Sequence, residues 1–199
     1  MSHNTLLHRV VRLGVEPLVG TAVTPNHLTT LRLITGLGAA AAFAVGSDEW
    51  RAWGGAIFVF SLLLDRADGE LARLGGITSA WGHKYDLFAD SLCNALAFVG
   101  LGIGLRDGAF GAWATAMGLA AGAAVAAILL LVVRLEALEG ERAGELGDVA
   151  GFDPDDGMLF VPLLVWLGWA DVMIAAAAVG APLFAVFMYA RYRRRLARP

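Results

Sequence analysis

The sequence predicts an all-α integral membrane protein, six transmembrane helices preceded by an N-terminal amphipathic interfacial helix. Three observations carry this. Of 199 residues, 58% are hydrophobic and 17% charged, with a mean hydropathy of +0.65, well to the apolar side of an ordinary soluble domain. The apolar residues gather in runs near the roughly 20 residues that a bilayer requires. The charged residues are segregated between those runs, so the net charge of −3 says little about partners, and no nucleic-acid partner is expected. Cys93 is the only cysteine, which excludes an intrachain disulfide and a thiolate cluster; it reads as a small apolar helix residue. Neither a cleavable signal peptide nor a separate soluble domain is expected, because the first long apolar run begins near Leu28 without a small-residue cleavage site.

Taken in order, residues 5–19 place Leu7, Val10, Val11, Gly14 and Leu18 on one stripe, with His8, Arg9, Arg12 and Glu16 outside it. A segment this short and charged lies along an interface instead of crossing it, so residues 1–22 form the interfacial helix. Thr24-Pro25-Asn26 ends it and caps the next helix, with Pro near a helix start where a missing N–H does no harm. The bundle occupies 28–190. Its first span runs from about Leu28 to Gly46 with Arg32 near the beginning, and its second from about Arg51, carrying Asp65 and Asp68 at the far end. The third runs from about Asp86 to Leu105 and the fourth from Phe110 to Val133. A short fifth, Met158 to Trp169, turns tightly into the sixth, Asp171 to Tyr189. Residues 191–199 are a basic tail. Gly36, Gly38, Gly54, Gly55, Gly118 and Gly122 are read as close-packing positions between helices, and the six tryptophans as an interfacial belt.

The basic residues set the orientation. Arg9, Arg12, Arg66, Arg73, Lys84, Arg134, Arg142 and the tail arginines 191, 193, 194, 195 and 198 fall on one side, and only Arg51 and Arg106 on the other. Positive charge marks the cytoplasmic face. Both termini and the segment 65–90 are therefore expected in the cytoplasm, at the inner membrane.

That segment holds the chemistry. Asp65-Arg66-Ala67-Asp68-Gly69-Glu70-Leu71-Ala72-Arg73 is followed, eight residues on, by Gly82-His83-Lys84-Tyr85-Asp86-Leu87-Phe88-Ala89-Asp90. Residues three or four apart share a helix face, so Asp65 and Asp68 point together from one helix, and Asp86 and Asp90 from another. Carboxylates at a membrane are expensive and mark function. Hard divalent ions take such oxygens together with substrate phosphates, and paired ions can clamp an in-line phosphoryl displacement. Gly69, Ala72 and Gly82 leave clearance for a ligand. Arg73 offers a fork suited to phosphate. Together these describe a nucleotide diphosphate site. Two other readings exist: helix caps and solvated ends, with Asp86 capping the third span, and a cation-coupled transporter. The first leaves the accompanying Gly, Ala and Arg unexplained, and the second lacks paired broken helices. His83 and Lys84 either steer the donor or belong to a solvated loop.

At these residues the sequence resembles the CDP-alcohol phosphotransferase family, whose pattern D-x-x-D-G-x-x-A-R-x(8)-G-x-x-x-D-x-x-x-D is filled at every fixed position: Asp65, Asp68, Gly69, Ala72, Arg73, Gly82, Asp86 and Asp90. Thr24-Pro25-Asn26-His27-Leu28-Thr29 followed by Arg32 also resembles the family's approach to its first span. The resemblance implies transfer of a substituted phosphate from a CDP-linked donor to an alcohol hydroxyl, releasing CMP, in phospholipid synthesis. Asp65, Asp68 and Asp86 would hold a first Mg²⁺ or Mn²⁺, while Asp90 would touch a second ion and act as base. Gly69, Ala72, Arg73 and Gly82 would serve the nucleotide, joined by Asn26 and Thr29. One substrate is a lipid, either as CDP-diacylglycerol or, in the reverse arrangement, as the acceptor of a soluble CDP-alcohol. A homodimer is implied by the family alone. Between Arg134 and Gly157, the acids Glu136, Glu139, Glu141, Glu145, Asp148, Asp153, Asp155 and Asp156 outnumber Arg134 and Arg142. Two readings stand side by side: their field opposes an anionic acceptor and favours a neutral or cationic alcohol, or the segment is simply a solvated acidic loop; Arg134, Arg142 and Arg191 could still build a small anion pocket.

Overall fold

Proline and small hydroxyl residues decide where the helices begin and end. A computed structural model describes residues 6–140 and 154–196, and among these every regular element is helical. The first helix, α1 (Leu6–Val15), gives way to a single 3-10 turn, Glu16–Leu18, that contains Pro17. Thr24 precedes α2 (Pro25–Val45), where the Thr24 N–H donates to His27 Nδ1 at 3.2 Å. Ser47 precedes α3 (Asp48–Gly75), its Oγ accepting from the Trp50 N–H, and Gly76 closes that helix in the left-handed conformation at φ 62°. Ser79 precedes α4 (Ala80–Gly104) and accepts the Gly82 N–H at 3.0 Å. The chain continues through α5 (Trp113–Glu139), a 3-10 segment Pro154–Leu159, α6 (Phe160–Trp166) and α7 (Ala170–Leu196).

Two sequence expectations change here. The third span is expected from Asp86, but the Ser79 cap starts α4 six residues earlier, so Asp86 lies inside the helix and caps nothing. The fifth span is a short apolar helix, Gly157–Trp166, which at 1.5 Å per residue covers about half of a bilayer core. Among the described residues four helices, α2, α4, α5 and α7, are long and apolar enough to cross a membrane. The second expected span, α3, is long enough, but it carries charge at both ends.

α2 lies between α3 and α4 and packs along both, whereas α3 and α4 touch each other little. Contacts between α2 and α4 advance in the same direction: Asn26 near Gly82, Thr30 bonded to Tyr85, Gly36 against Cys93, Ala40 against Gly100 and Phe43 against Gly104. The two helices are therefore parallel, with α3 returning between them in sequence. At Gly100 and Gly104 a side chain would overlap the carbonyl oxygens of Ala40 and Phe43, so backbone meets backbone. Gly118 and Gly122 do the same for α5 against α4, Gly54 admits the Phe43 ring, and Gly55 seats Trp166 of α6. Gly38 does not belong with these, since nothing lies within 4 Å of it; it sits on the outward face of α2. The main core runs through Phe43, Phe58, Ala97, Leu101, Ala121 and Ile174.

A second, smaller core holds α1 in place. Val11 and Val15 are buried with Leu28, Leu64 and Leu71, and Leu18 packs against them, so Val11 and Leu18 of the stripe read as interfacial face the protein itself, whereas Gly14 stays open. By contrast, apolar positions on the outer faces stay open: Ile34, Leu119, Leu130, Val179, Leu183 and Val186 are all exposed. Apolar side chains outside and close-packed glycines inside are what lipid solvation permits.

Gly100→Val should lose stability toward the upper end of the ~1–3 kcal/mol typical of overpacking, because the Ala40 backbone cannot yield. Gly38→Ala should gain roughly 0.5–1 kcal/mol from helix propensity. Thermal melts of the two variants in one detergent check the contrast.

Candidate active site

Four carboxylates reach one place from two helices. Asp65 and Asp68 stand near the end of α3, and Asp86 and Asp90 in the first half of α4. Because those helices scarcely touch, α2 is what joins the acids. Arg32 of α2 is fully buried among them. Its Nε is 3.2 Å from Asp65 Oδ1, its Nη1 is 4.0 Å from Asp86 Oδ1, and its Nη2 donates to Asp90 Oδ1. One turn earlier, Thr29 Oγ1 donates to Asp68 Oδ2 at 2.6 Å. A single helix thus touches all four acids.

The acids differ in their surroundings. Asp68 is buried, while the side chains of Asp65, Asp86 and Asp90 keep 21%, 37% and 33% of their surface open, so the cluster is not sealed. Asp90 Oδ1 accepts a second bond, from Asn94 Nδ2 at 2.8 Å. Both bonds fall on Oδ1, which fixes the carboxylate and leaves the lone pairs of Oδ2 for another partner. Asp86 Oδ1 is buried without a hydrogen bond, a costly state for an oxygen unless a cation faces it.

Hard carboxylate oxygens, one of them buried and unbonded, are a donor set that fits Mg²⁺ or Mn²⁺. As the side chains stand, no three acidic, histidine or cysteine groups among the described residues are arranged to hold one ion. The Arg32 guanidinium occupies the space between them.

The other residues singled out in the sequence divide. Asn26 and Gly82 are brought together: a Cβ on Gly82 would come within 3.2 Å of Asn26 Oδ1, so the starts of α2 and α4 abut beside the acids. Gly69 and Ala72 follow Asp68 on α3, and a Cβ on Gly69 would meet only the Arg73 guanidinium, 3.6 Å away. Arg73 itself does not join the aspartates. It pairs with Glu70, Nε and Nη2 lying 3.2 and 2.7 Å from Oε2, because a neighbour three residues back on the same helix is within easy reach. His83 is not in a loop; it lies within α4, with Nε2 at 3.1 Å from both carboxylate oxygens of Glu136 on α5.

Part of the acidic run after Arg134 can be placed. Glu136 faces His83, and Glu139 faces Arg195 at 3.0 Å, so both already have cationic or protonatable partners. Glu141, Arg142, Glu145, Asp148 and Asp153 lie outside the described residues. Of the arginines expected in a small anion pocket, Arg134 and Arg191 are described. Arg191 stacks over the Tyr192 ring at 5.8 Å, and Arg134 borders an apolar groove with Tyr189.

Two residues carry more of the site than the sequence suggests. Arg32 fits the family pattern without a role of its own there, and Asn94 has no signal in the sequence. The signal is available for Arg32: it is the only Lys, Arg, Asp or Glu between Pro25 and Val45, and a lone ionisable residue in an apolar helix marks a function by default.

Thr29→Val should leave Asp68 buried without its donor, at about 1.5–3 kcal/mol for a bond to a charged group, while Thr29→Ser restores most of it. Thermal melts in detergent read both.

No curated protein gives a match. The family model described as CDP-alcohol phosphatidyltransferase matches residues 22–187, a stretch that includes Arg32, all four aspartates and every long helix from α2 to most of α7. A match over well over half of the 199 residues, which takes in the acids that α2 gathers, establishes that the chain belongs to the CDP-alcohol phosphatidyltransferase family.

Proposed function

We propose that this protein transfers a phosphatidyl group from CDP-diacylglycerol to the hydroxyl of a small alcohol, releasing CMP, in phospholipid synthesis. The observation that carries this reading is the convergence of Asp65, Asp68, Asp86 and Asp90 on Arg32 and Thr29 of α2 within the stretch matched by the family.

In this reaction the acceptor oxygen forms a bond to the lipid-bearing phosphorus, the P–O bond to CMP breaks, and the acceptor proton passes to Asp90. Asp90 suits that part because Arg32 and Asn94 hold its Oδ1 while Oδ2 is left to accept. Asp65, Asp68 and Asp86 would hold Mg²⁺ or Mn²⁺, with Asp90 shared by a second ion. When bound, such ions neutralise charge on the diphosphate and the leaving group. Asn26, at the meeting of α2 and α4, offers an amide to the nucleotide. Gly69, Ala72 and Gly82 leave room beside the acids, and Arg73, released from Glu70, would reach a phosphate. Glu136 and Glu139 are already paired with His83 and Arg195, which reduces their field on an acceptor.

The same reading sets six helical segments in the cytoplasmic membrane, α3 and α6 with the four long apolar ones, and lays α1 at the inner surface. The arginine distribution supports a cytoplasmic acid cluster. All six tryptophans are exposed, as an interfacial belt requires. The outer faces of α5 and α7 are open to lipid or to a second copy in a homodimer.

Asp90→Asn should slow CMP release by about 10²–10⁴-fold, the range for a general base, and retain most CDP binding. Asp65→Asn and Asp68→Asn should weaken metal and nucleotide binding together. Equal loss of nucleotide affinity in all three contradicts the division of roles. The decisive assay is mass spectrometry of lipids formed with Mg²⁺ from CDP-diacylglycerol or soluble CDP-alcohols, offered glycerol phosphate, inositol, serine and amino alcohols. If no CDP-linked donor yields CMP, the proposed activity is wrong.

A further inference from the structure

The geometry points to Arg32 as a resident cation that keeps the four carboxylates assembled when no divalent ion is bound, and so as the positioning residue of the whole site. The inference rests on the reading of Asp65, Asp68, Asp86 and Asp90 as metal ligands.

Carboxylates gathered from two helices that pack little against each other repel one another when charged. Arg32 supplies the missing opposite charge. Its guanidinium stays protonated at any working pH, it is fully buried, and it stands within 4.0 Å of carboxylates on both α3 and α4.

The backbone beneath it is pinned from both sides as well. Ser61 Oγ of α3 donates to the Arg32 carbonyl at 3.0 Å, and Cys93 Sγ of α4 lies 3.9 Å from the same oxygen. Gly36, one turn on, permits that approach, since a Cβ there would come within 2.7 Å of the Cys93 Cβ.

The pairing is also incomplete in an informative way. Nε and Nη1 make no hydrogen bond although each faces a carboxylate. No bidentate fork forms on any one acid, so Arg32 holds Asp65 and Asp86 by charge more than by directed bonds. Carboxylates held this way can turn toward an arriving ion without first breaking a fork. Arg32 and a divalent ion thus do one job in succession: the arginine gathers the acids, and the ion takes over part of their charge.

A purely structural arginine and a resident cation differ in how metal affects the loss. Wild type, Arg32→Met, Arg32→Lys and the packing control Ser61→Ala are melted in detergent, each in EDTA and in saturating Mg²⁺. Arg32→Met should fall much further in EDTA than in Mg²⁺, so that its Mg²⁺-induced rise in Tm is about twice that of wild type or more. Arg32→Lys, which keeps the charge, should lie between them, and Ser61→Ala should fall equally in both buffers. If Arg32→Met does not yield folded protein, Arg32→Lys against Ser61→Ala carries the comparison. Equal losses for the Arg32 variants in EDTA and Mg²⁺ overturn the inference. A wild-type melt unmoved by Mg²⁺ and by Mn²⁺ overturns the metal reading beneath it.

Discussion

One buried guanidinium governs this molecule. Removing a charge from water costs several kcal/mol unless partners of opposite sign are close, and Arg32 meets that condition only where three aspartates from two helices surround it. The aspartates are under the reverse constraint, since their mutual repulsion requires a positive centre. Neither set is stable in this position without the other. The remainder of the fold serves that mutual need: α2 is central because it bears the arginine, and α3 and α4 flank it because they bear the acids.

The packing follows from the same requirement. Charges can meet across three helices only if the helices approach closely, and glycine provides the approach. Gly100 and Gly104 bring α4 onto the α2 backbone, Gly36 lets Cys93 reach the carbonyl of Arg32, and Gly82 keeps the two helix starts abutting at Asn26. The more peripheral helices are held differently. Trp166 of α6 is seated at Gly55 and donates to the Ala52 carbonyl at 3.1 Å, while α7 packs mainly on α5 and reaches α4 only slightly.

Spacing makes the acid pairs legible in the sequence, because residues three or four apart share a face whatever the tertiary structure. Helix starts are less legible. Asp86 is an acceptable cap residue, but Ser79 lies upstream and takes that role, which moves the acids into the helix body. Side-chain partners are harder still. Arg73 suits a phosphate by type, yet it finds Glu70, a neighbour on its own helix. Gly38 resembles an interface glycine, but its face points outward, a matter of helix rotation that composition does not reveal. The α1 stripe is legible as apolar, yet not as packing on Leu64 and Leu71 of α3. Arg32 is visible as an isolated charge, but its meaning depends on which helix sits in the middle.

The depth of that charge bears on how such a protein is made. Arg32 comes seven residues after the start of α2 at Pro25, about 10 Å along the axis at 1.5 Å per residue. Its partners are synthesised later, the last of them at Asp90. A long cationic side chain at this depth can reach back to the headgroup layer while it waits, whereas one at the middle of the helix would face hydrocarbon alone. The arginine's address near the end of its helix therefore lets biogenesis proceed in chain order, with the ionic centre closing only once α4 has been delivered.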